Sequence, residues 1–165
     1  MNVINSKGKG SSFERKVCTT LSLWVTEGKQ NDCFWRSSIS GGRATVAHNK
    51  GKTNRQAGDI CSVSPEGHIL TEKFFIECKH YRKLQIDKFI LLKEGTLAKF
   101  WVTCNNQAFN HKRWPMLIVK ENGKPELVIT YQDHLTNFCN VGPSLTTGLT
   151  EIRLFRDLLQ SQLRK

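Results

Sequence analysis

Two carboxylates and one ammonium group are spaced along this chain in a way that suits metal-dependent cleavage of a phosphodiester. Asp59 opens one apolar run, and Glu77 and Lys79 close the next one. Because side chains alternate between the faces of a strand, Glu77 and Lys79 are expected to point to the same side. Paired carboxylates repel each other unless a cation lies between them, and hard oxygen ligands favour Mg²⁺, with Mn²⁺ as a substitute. Such an ion activates water, and Lys79 orients that water, deprotonates it or screens the charge on the phosphate.

Two predicted strands must bring these side chains together. Residues 59–63 and 73–78 are rich in β-branched and aromatic residues, and residues 64–67 (Ser-Pro-Glu-Gly) are typical of a turn. This pattern predicts a hairpin in which Asp59 lies beside Glu77. The apolar residues before Glu77 indicate a central strand of a sheet. The alternative is an ordinary hairpin whose polar residues face water.

A family resemblance rests on three segments of the chain. Gly58-Asp59 followed by Glu77-Cys78-Lys79 resembles the bipartite signature of the PD-(D/E)xK nuclease superfamily, with glycine in the position of the usual proline. Residues 7–17, a Gly-rich basic start that leads into Glu-Arg, resemble the opening of archaeal-type Holliday-junction resolvases. Residues 35–42 resemble the strand and the Arg/Ser/Gly loop of the same family. The resemblance implies an α/β fold in which a mixed central β-sheet is flanked by helices, as in restriction endonucleases.

The resemblance also implies roles for individual residues. Lys79 would be the catalytic lysine, and Glu14 would complete the acidic site from the first helix. The implied metal ligands are the carboxylates of Asp59, Glu77 and Glu14 and the backbone carbonyl of Cys78. Because Ser11 stands three positions before Glu14, the pair is also typical of a capping box, and a purely structural role for Glu14 stays open.

The positive charge of the chain favours DNA as its partner. The sequence carries 25 Lys and Arg against 14 Asp and Glu, a formal net charge of +11. Binding to phosphate is then expected to weaken steeply with salt. Residues 41–57 are rich in Gly, Asn and Lys and are expected to form a mobile basic loop; a solvated loop without a role is the alternative. The basic residues expected to contact DNA are Lys7, Lys9, Arg15, Arg43, Lys50, Lys52, Arg55 and Lys83, and the resemblance implies that Arg36 and Ser40 also lie near the DNA backbone.

The pattern of the chain predicts one nuclease domain over residues 1–165. Predicted helices span residues 11–27, 86–97 and 150–164, and predicted strands span residues 100–104, 116–120 and 126–130. No apolar run approaches the roughly 20 residues of a membrane span, and no signal peptide is visible. A cytoplasmic protein is therefore expected, in the host cytoplasm if a phage encodes it. The six cysteines are scattered through apolar segments, which indicates buried, reduced thiols rather than disulfides or a zinc site.

These observations predict a Mg²⁺-dependent endonuclease. The resemblance makes a four-way DNA junction the expected substrate and a homodimer the expected agent, because resolving a junction takes two symmetry-related nicks. Such proteins serve DNA recombination and repair or the debranching of viral DNA, and a small basic member suits a bacteriophage. Two other functions stay open: a nuclease of the same superfamily that cuts duplexes, flaps or restriction sites, and a DNA-binding module without catalysis.

Overall fold

The fold is known from a computed structural model that describes residues 6–37, 57–135, 137–140, 144–160 and 162–163. Its helices are α1 (Ser6–Val25), α2 (Pro65–Thr71), α3 (Ile86–Leu92), α4 (Gly95–Asn110) and α5 (Phe155–Leu159). Its strands are β1 (Phe34–Arg36), β2 (Ile60–Ser62), β3 (Phe74–Tyr81), β4 (Trp114–Glu121), β5 (Glu126–Tyr131), β6 (Cys139–Asn140), β7 (Leu145–Thr147), β8 (Thr150–Leu154) and β9 (Gln162–Leu163). Among these described residues, no helix is long and apolar enough to cross a membrane.

Five strands form a mixed sheet in the order β3-β4-β5-β8-β7. β3 and β4 run parallel, with Glu77 opposite Leu117 and Lys79 opposite Val119, and the other neighbours are antiparallel. β1 and β2 form a separate antiparallel pair, as do β6 and β9. The expected α/β fold with a mixed sheet flanked by helices is confirmed.

Helices cover both faces of the five-stranded sheet. On one face, α1 packs against even-numbered residues of β3, such as Ile76 and Cys78, and α5 packs against β5 and β8 in the same core. On the other face, α3 and α4 pack against odd-numbered residues, such as Phe75. The stripe that α4 buries has helical spacing and consists of Leu97, Trp101, Cys104 and Ala108. The six cysteines are free and buried, as predicted.

The predicted C-terminal helix over residues 150–164 is wrong. Thr150–Leu154 is strand β8, which is hydrogen-bonded between β5 and β7, and among the described residues of this segment only Phe155–Leu159 is helical. Ile152 enters the core, whereas Glu151 and Arg153 form an ion pair on the opposite face. The apolar residues of this segment also fit a helical period, but pairing with β5 decides the conformation.

The predicted hairpin over residues 59–78 is also wrong. Its supposed turn is helix α2, which starts with Ser64 at the N-cap and Pro65 in the first turn, and β2 pairs with β1 instead of β3. Asp59 nevertheless reaches β3, because its backbone N–H donates to the Ile76 carbonyl at 2.9 Å. Within the described part of the chain, β3 is an outer strand of the five-stranded sheet rather than a central one, and the Asp59 segment lies along its free edge.

The helix predicted over residues 86–97 is two helices. Lys93 has a left-handed φ of 58°, which ends α3, and α4 begins at Gly95 with φ of +92°. Residues 100–104, predicted as a strand, lie inside α4. Their β-branched and aromatic side chains favour a strand locally, but the helical spacing of the buried residues overrides that preference.

The N-terminal helix is longer at its start than the predicted span of residues 11–27. It begins at Ser6 and ends at Val25, so Glu14 lies in the helix interior and cannot cap the first turn. The predicted basic loop over residues 41–57 lies outside the described residues, except for Ala57, which is buried.

Candidate active site

Three of the predicted residues meet at the free edge of β3. Lys79 Nζ donates a hydrogen bond to Glu77 Oε1 and lies 3.7 Å from Asp59 Oδ2. Glu77 and Lys79 leave β3 on the same face, as strand alternation requires. One ammonium group thus bridges two carboxylates in the second half of a strand that runs parallel to β4.

Backbone contacts hold Asp59 against β3. Its N–H donates to the carbonyl of Ile76, and the N–H of Cys78 donates to Asp59 Oδ2, each at 2.9 Å. Gly58 has φ of +84°, and a Cβ atom at this position would lie 2.5 Å from the Ile76 carbonyl oxygen. Only glycine fits both the left-handed backbone and the close approach. The glycine that replaces the usual proline of the superfamily signature is therefore required by this backbone.

The charges of the site are unbalanced in favour of the carboxylates. Burial, reinforced by the nearby Glu77 and opposed by Lys79, raises the pKa of Asp59 from 3.8 to about 6. Burial also disfavours the charge on Lys79, but Glu77 and Asp59 together raise the pKa of Lys79 above 10.5. Lys79 is therefore a firmly held cation at neutral pH, and the two carboxylates still outnumber it.

Glu14 approaches this site from α1. Its Oε2 accepts a hydrogen bond from Arg36 Nε at 2.8 Å, and its side chain is only 13% exposed. The negative charge of Glu14 contributes to the raised pKa of Asp59, although less than Glu77 does. The pairing with Arg36, rather than a helix cap, accounts for the position of Glu14.

The oxygen donors of the site fit a hard divalent cation. Along β3, odd-numbered residues direct their backbone groups to β4, as the bond from Trp114 N–H to Lys73 O shows. The Cys78 carbonyl therefore points to the free edge, on the side of Asp59. The groups that would hold an ion are the two carboxylates and this carbonyl, from Asp59, Glu77 and Cys78. Within the described ranges, no set of three or more His, Cys, Asp and Glu side chains is close enough to hold one metal ion. The role of Glu14 as a metal ligand therefore stays a prediction.

Comparison with known proteins gives the family of the chain. Residues 5–156 match the model of a family described as "phage putative PDDEXK endonuclease". The chain belongs to this family. The match includes the first helix, the Gly58-Asp59 segment and the Glu77-Cys78-Lys79 segment, so the expected PD-(D/E)xK superfamily and the phage association are confirmed. No match was found among curated proteins or among solved structures.

The DNA-contacting residues predicted for this phage PDDEXK protein are only partly placed. Arg15 and Lys83 are exposed, Lys9 is half-buried, and Arg36 is the partner of Glu14. Lys7 lies in the first turn of α1. The remaining residues lie outside the described ranges, and they are Ser40, Arg43, Lys50, Lys52 and Arg55. Their contacts with DNA stay predictions.

A second charged group in this phage PDDEXK protein was missed from the sequence. Glu126 Oε1 pairs with Lys16 Nζ at 2.7 Å and with Lys120 Nζ at 3.2 Å, and we call these three residues the Glu126 cluster. Burial alone would raise the pKa of Glu126, but hydrogen bonds from the two lysines lower it to about 2. The cluster lines a cavity of about 420 Å³ together with Lys9 and His80. Because Lys16 and Glu126 are 110 positions apart, no local spacing could indicate the pair.

Proposed function

We propose that this chain is a metal-dependent DNA endonuclease whose preferred substrate is a four-way DNA junction. The observation that carries the proposal is the convergence of Asp59 and Glu77 on Lys79 in a member of the phage PDDEXK family. A net charge of +11 supports DNA as the partner, because such a surface attracts the phosphate backbone.

The chemistry divides between the ion and the side chains of the site. A bound divalent cation, Mg²⁺ or Mn²⁺ in its place, would supply an activated water and stabilise charge on the phosphate. Asp59 and Glu77 would hold it with carboxylate oxygens, joined by the Cys78 carbonyl. Lys79, kept protonated by its two neighbours, would orient the attacking water and offset the negative charge of the scissile phosphate. Its hydrogen bond to Glu77 fixes the ammonium group on the face that the phosphate must approach.

The junction and the homodimer are the finer parts of the proposal. The resemblance of residues 7–17 and 35–42 to archaeal-type resolvases supports them. Those two segments contribute Glu14 and Arg36, which pair beside Asp59. A homodimer would present two equivalent sites to two symmetry-related strands, which is what paired nicks require. Recombination, repair or debranching of phage DNA would be the process served.

The test is cleavage of a labelled four-way junction beside a linear duplex of the same arm sequence. Both substrates are incubated with Mg²⁺, with Mn²⁺ and with EDTA, and the variants are Glu77→Gln and Glu27→Gln. The two substitutions remove the same charge, but Glu27 is an exposed residue whose nearest ion-pair partner, Lys29, is 3.9 Å away. Light scattering of the free protein and of the junction complex gives the number of subunits.

The proposal expects paired symmetric nicks in the junction, their loss with EDTA and in Glu77→Gln, and normal cutting by Glu27→Gln. Equal cutting of the duplex would retain the nuclease and reject the junction preference. Binding without cutting under either metal would reject catalysis and leave a DNA-binding module.

A further inference from the structure

Trp35 is the exposed exception among the tryptophans of this chain. Its side chain is 64% exposed, whereas Trp24 and Trp101 are buried and Trp114 is half-buried. Its strand neighbours are not exposed, because Phe34 enters the core and Arg36 is bound to Glu14. An indole ring is among the largest apolar groups in a protein, and leaving one in water is informative where burial is the rule.

Strand alternation turns Trp35 and the candidate catalytic residues away from the same core. Phe34 on β1 and Cys78 on β3 both belong to the core that packs beneath α1. Trp35 is next to Phe34, and Glu77 and Lys79 flank Cys78, so each of the three side chains points away from that core. The helices α3 and α4 cover the side of the five-stranded sheet opposite α1, whereas the ring of Trp35 is left exposed.

Trp35 is also close to Asp59, measured along the axis of the β1–β2 pair. It lies opposite Cys61 in the β1–β2 pair, and the N–H of Ser37 donates to the Asp59 carbonyl at 2.8 Å. Asp59 lies two residues before Cys61, the residue opposite Trp35, so Trp35 and Asp59 are offset along the strands by about 7 Å. This offset equals about two base steps of a DNA strand. Within the described ranges, no aromatic ring or cation packs on the indole. The backbone carbonyl of Trp35 accepts a hydrogen bond from Cys61 Sγ–H at 3.3 Å.

We infer that Trp35 is a base-stacking residue, whose indole packs on a DNA base exposed within about two steps of the scissile phosphate. This inference rests on the proposed function and deepens it, since it names what distinguishes the preferred substrate from plain duplex. Bases in a duplex are already stacked on each other, whereas those next to a branch point can present a face to the protein. Trp35 therefore selects branched over continuous DNA, and Asp59, Glu77 and Lys79 act on the phosphate beside it.

The position of Trp35 favours DNA over a protein as the occupant. Trp35 lies on the strand that is hydrogen-bonded to the Asp59 segment, where the proposed substrate must enter, and the chain carries a net charge of +11. The positive charge of the chain attracts nucleic acid, and a homodimer that cuts DNA must leave this part of the surface open to its substrate. Stacking on an aromatic ring is tolerant of base identity, because every base has a π-face.

The experiment compares Trp35→Ala, Trp35→Phe and Phe109→Ala with the wild-type chain. Phe109 is a matched control, since it is an aromatic residue 82% exposed near the end of α4 that leads into the start of β4, away from Lys79. The probe is a four-way junction with 2-aminopurine at the branch point, and a linear duplex carries the same base. Binding and the fluorescence of 2-aminopurine are measured in EDTA, cleavage is measured with Mg²⁺, and thermal unfolding reports on the fold.

The expected result is quenching of 2-aminopurine by wild type, Trp35→Phe and Phe109→Ala, with little quenching by Trp35→Ala. Trp35→Ala should bind the junction about tenfold more weakly and the duplex unchanged, so its junction preference falls by the same factor. Junction binding and quenching by Trp35→Ala at wild-type levels would overturn the inference, as would equal weakening for both substrates or a change in subunit number. Wild-type cleavage of the junction is scored separately, so the proposed function and the stacking role can fail independently.

Discussion

Two charged groups at the same end of the parallel strands β3 and β4 have opposite charge balance. In the active site, the ammonium group of Lys79 is shared by two carboxylates, and the pKa of Asp59 is raised to about 6 by burial and by its neighbour Glu77. In the Glu126 cluster, one carboxylate is shared by two ammonium groups, and the pKa of Glu126 falls to about 2 in spite of its burial.

Both groups consist of carboxylates and lysines, so the difference in their pKa values comes from the ratio of carboxylates to ammonium groups and not from the residue types. The Glu126 cluster is satisfied internally, and it ties α1 to β4 and β5 through Lys16 and Lys120. The candidate active site keeps a surplus carboxylate, which is expected to cost stability in the metal-free protein and which a divalent cation would neutralise. Equivalent substitutions in the two groups should therefore have effects of opposite sign or very different size.

The largest expected effect is on catalysis. Lys79→Met should lower the rate of junction cleavage by about 10²–10⁴-fold, because the charge nearest the reacting phosphate is lost. Lys120→Met is the matched control, since Lys120 lies opposite His80 on the neighbouring strand but serves the Glu126 cluster. Single-turnover rates at saturating Mg²⁺ measure both. A loss for Lys120→Met as large as that for Lys79→Met would contradict the assignment of the two lysines.

The next effect is on the backbone that carries Asp59. Gly58→Ala should lower the free energy of unfolding by about 2–4 kcal/mol, because it combines a left-handed backbone with a clash against β3. Gly123→Ala separates the two causes: Gly123 has φ of +74° with no atom within 4 Å of the added Cβ, so about 1 kcal/mol is expected. Urea unfolding measures both variants, and equal losses would show that the close approach to Ile76 contributes nothing.

Asp59→Asn should stabilise the metal-free protein by about 2 kcal/mol at pH 7.5, since it removes the buried surplus charge and keeps an acceptor for the Cys78 N–H. The folded pKa of Asp59, about 6, lies above its ordinary value of 3.8. The folded state therefore binds more protons between these values, and wild-type stability from this group is full below pH 4 and declines as the pH rises through about 6.

The gain from Asp59→Asn should accordingly vanish at pH 4 and be complete above pH 6, as measured by urea unfolding in EDTA. Adding Mg²⁺ should stabilise the wild type and leave Asp59→Asn unchanged. An Asp59→Asn variant less stable than wild type in EDTA at pH 7.5 would show that the surplus charge is compensated.

The smallest expected effect is on stability and has the opposite sign to that of Asp59→Asn. Glu126→Gln should destabilise the protein by about 1 kcal/mol at pH 7, a modest value because Lys16 is 63% exposed and solvent screens the pair. The pKa of Glu126 is depressed, so this contribution is present above its ordinary value of 4.5 and is lost as the pH falls to about 2. Unfolding curves between pH 2 and 7 test it, and a stabilising Glu126→Gln would remove the contrast with Asp59.

The site could be predicted from the sequence better than the elements that hold it. Strand alternation alone puts Glu77 and Lys79 on one face, and the structure places both beside Asp59 as expected. The predicted hairpin between Asp59 and Glu77 is wrong, because Ser64-Pro65 starts a helix. Proline just after an N-cap residue is typical of a helix start as well as of a turn. Residues 100–104 have a local preference for a strand, but they lie in a helix because the buried residues of that segment follow a helical spacing.

Other features depend on contacts between distant parts of the chain. The partner of Glu14 is Arg36 on another element, and the Glu126 cluster joins a helix to two strands. Whether residues 150–154 pair as a strand depends on the open edge of β5, which no local pattern shows. Such features follow from tertiary packing and not from local spacing.

The segment that carries Asp59 also covers hydrogen-bonding groups at the outer edge of β3. An uncovered outer strand with the sequence Phe74-Phe75-Ile76 would be a ready template for strand addition by another chain. By occupying the Ile76 carbonyl and the Cys78 N–H, Asp59 removes the hydrogen-bonding positions that such an addition would use. A variant that releases this segment should therefore form aggregates as well as lose its candidate metal-binding pair, so solubility and the proposed catalysis would depend on the same few residues.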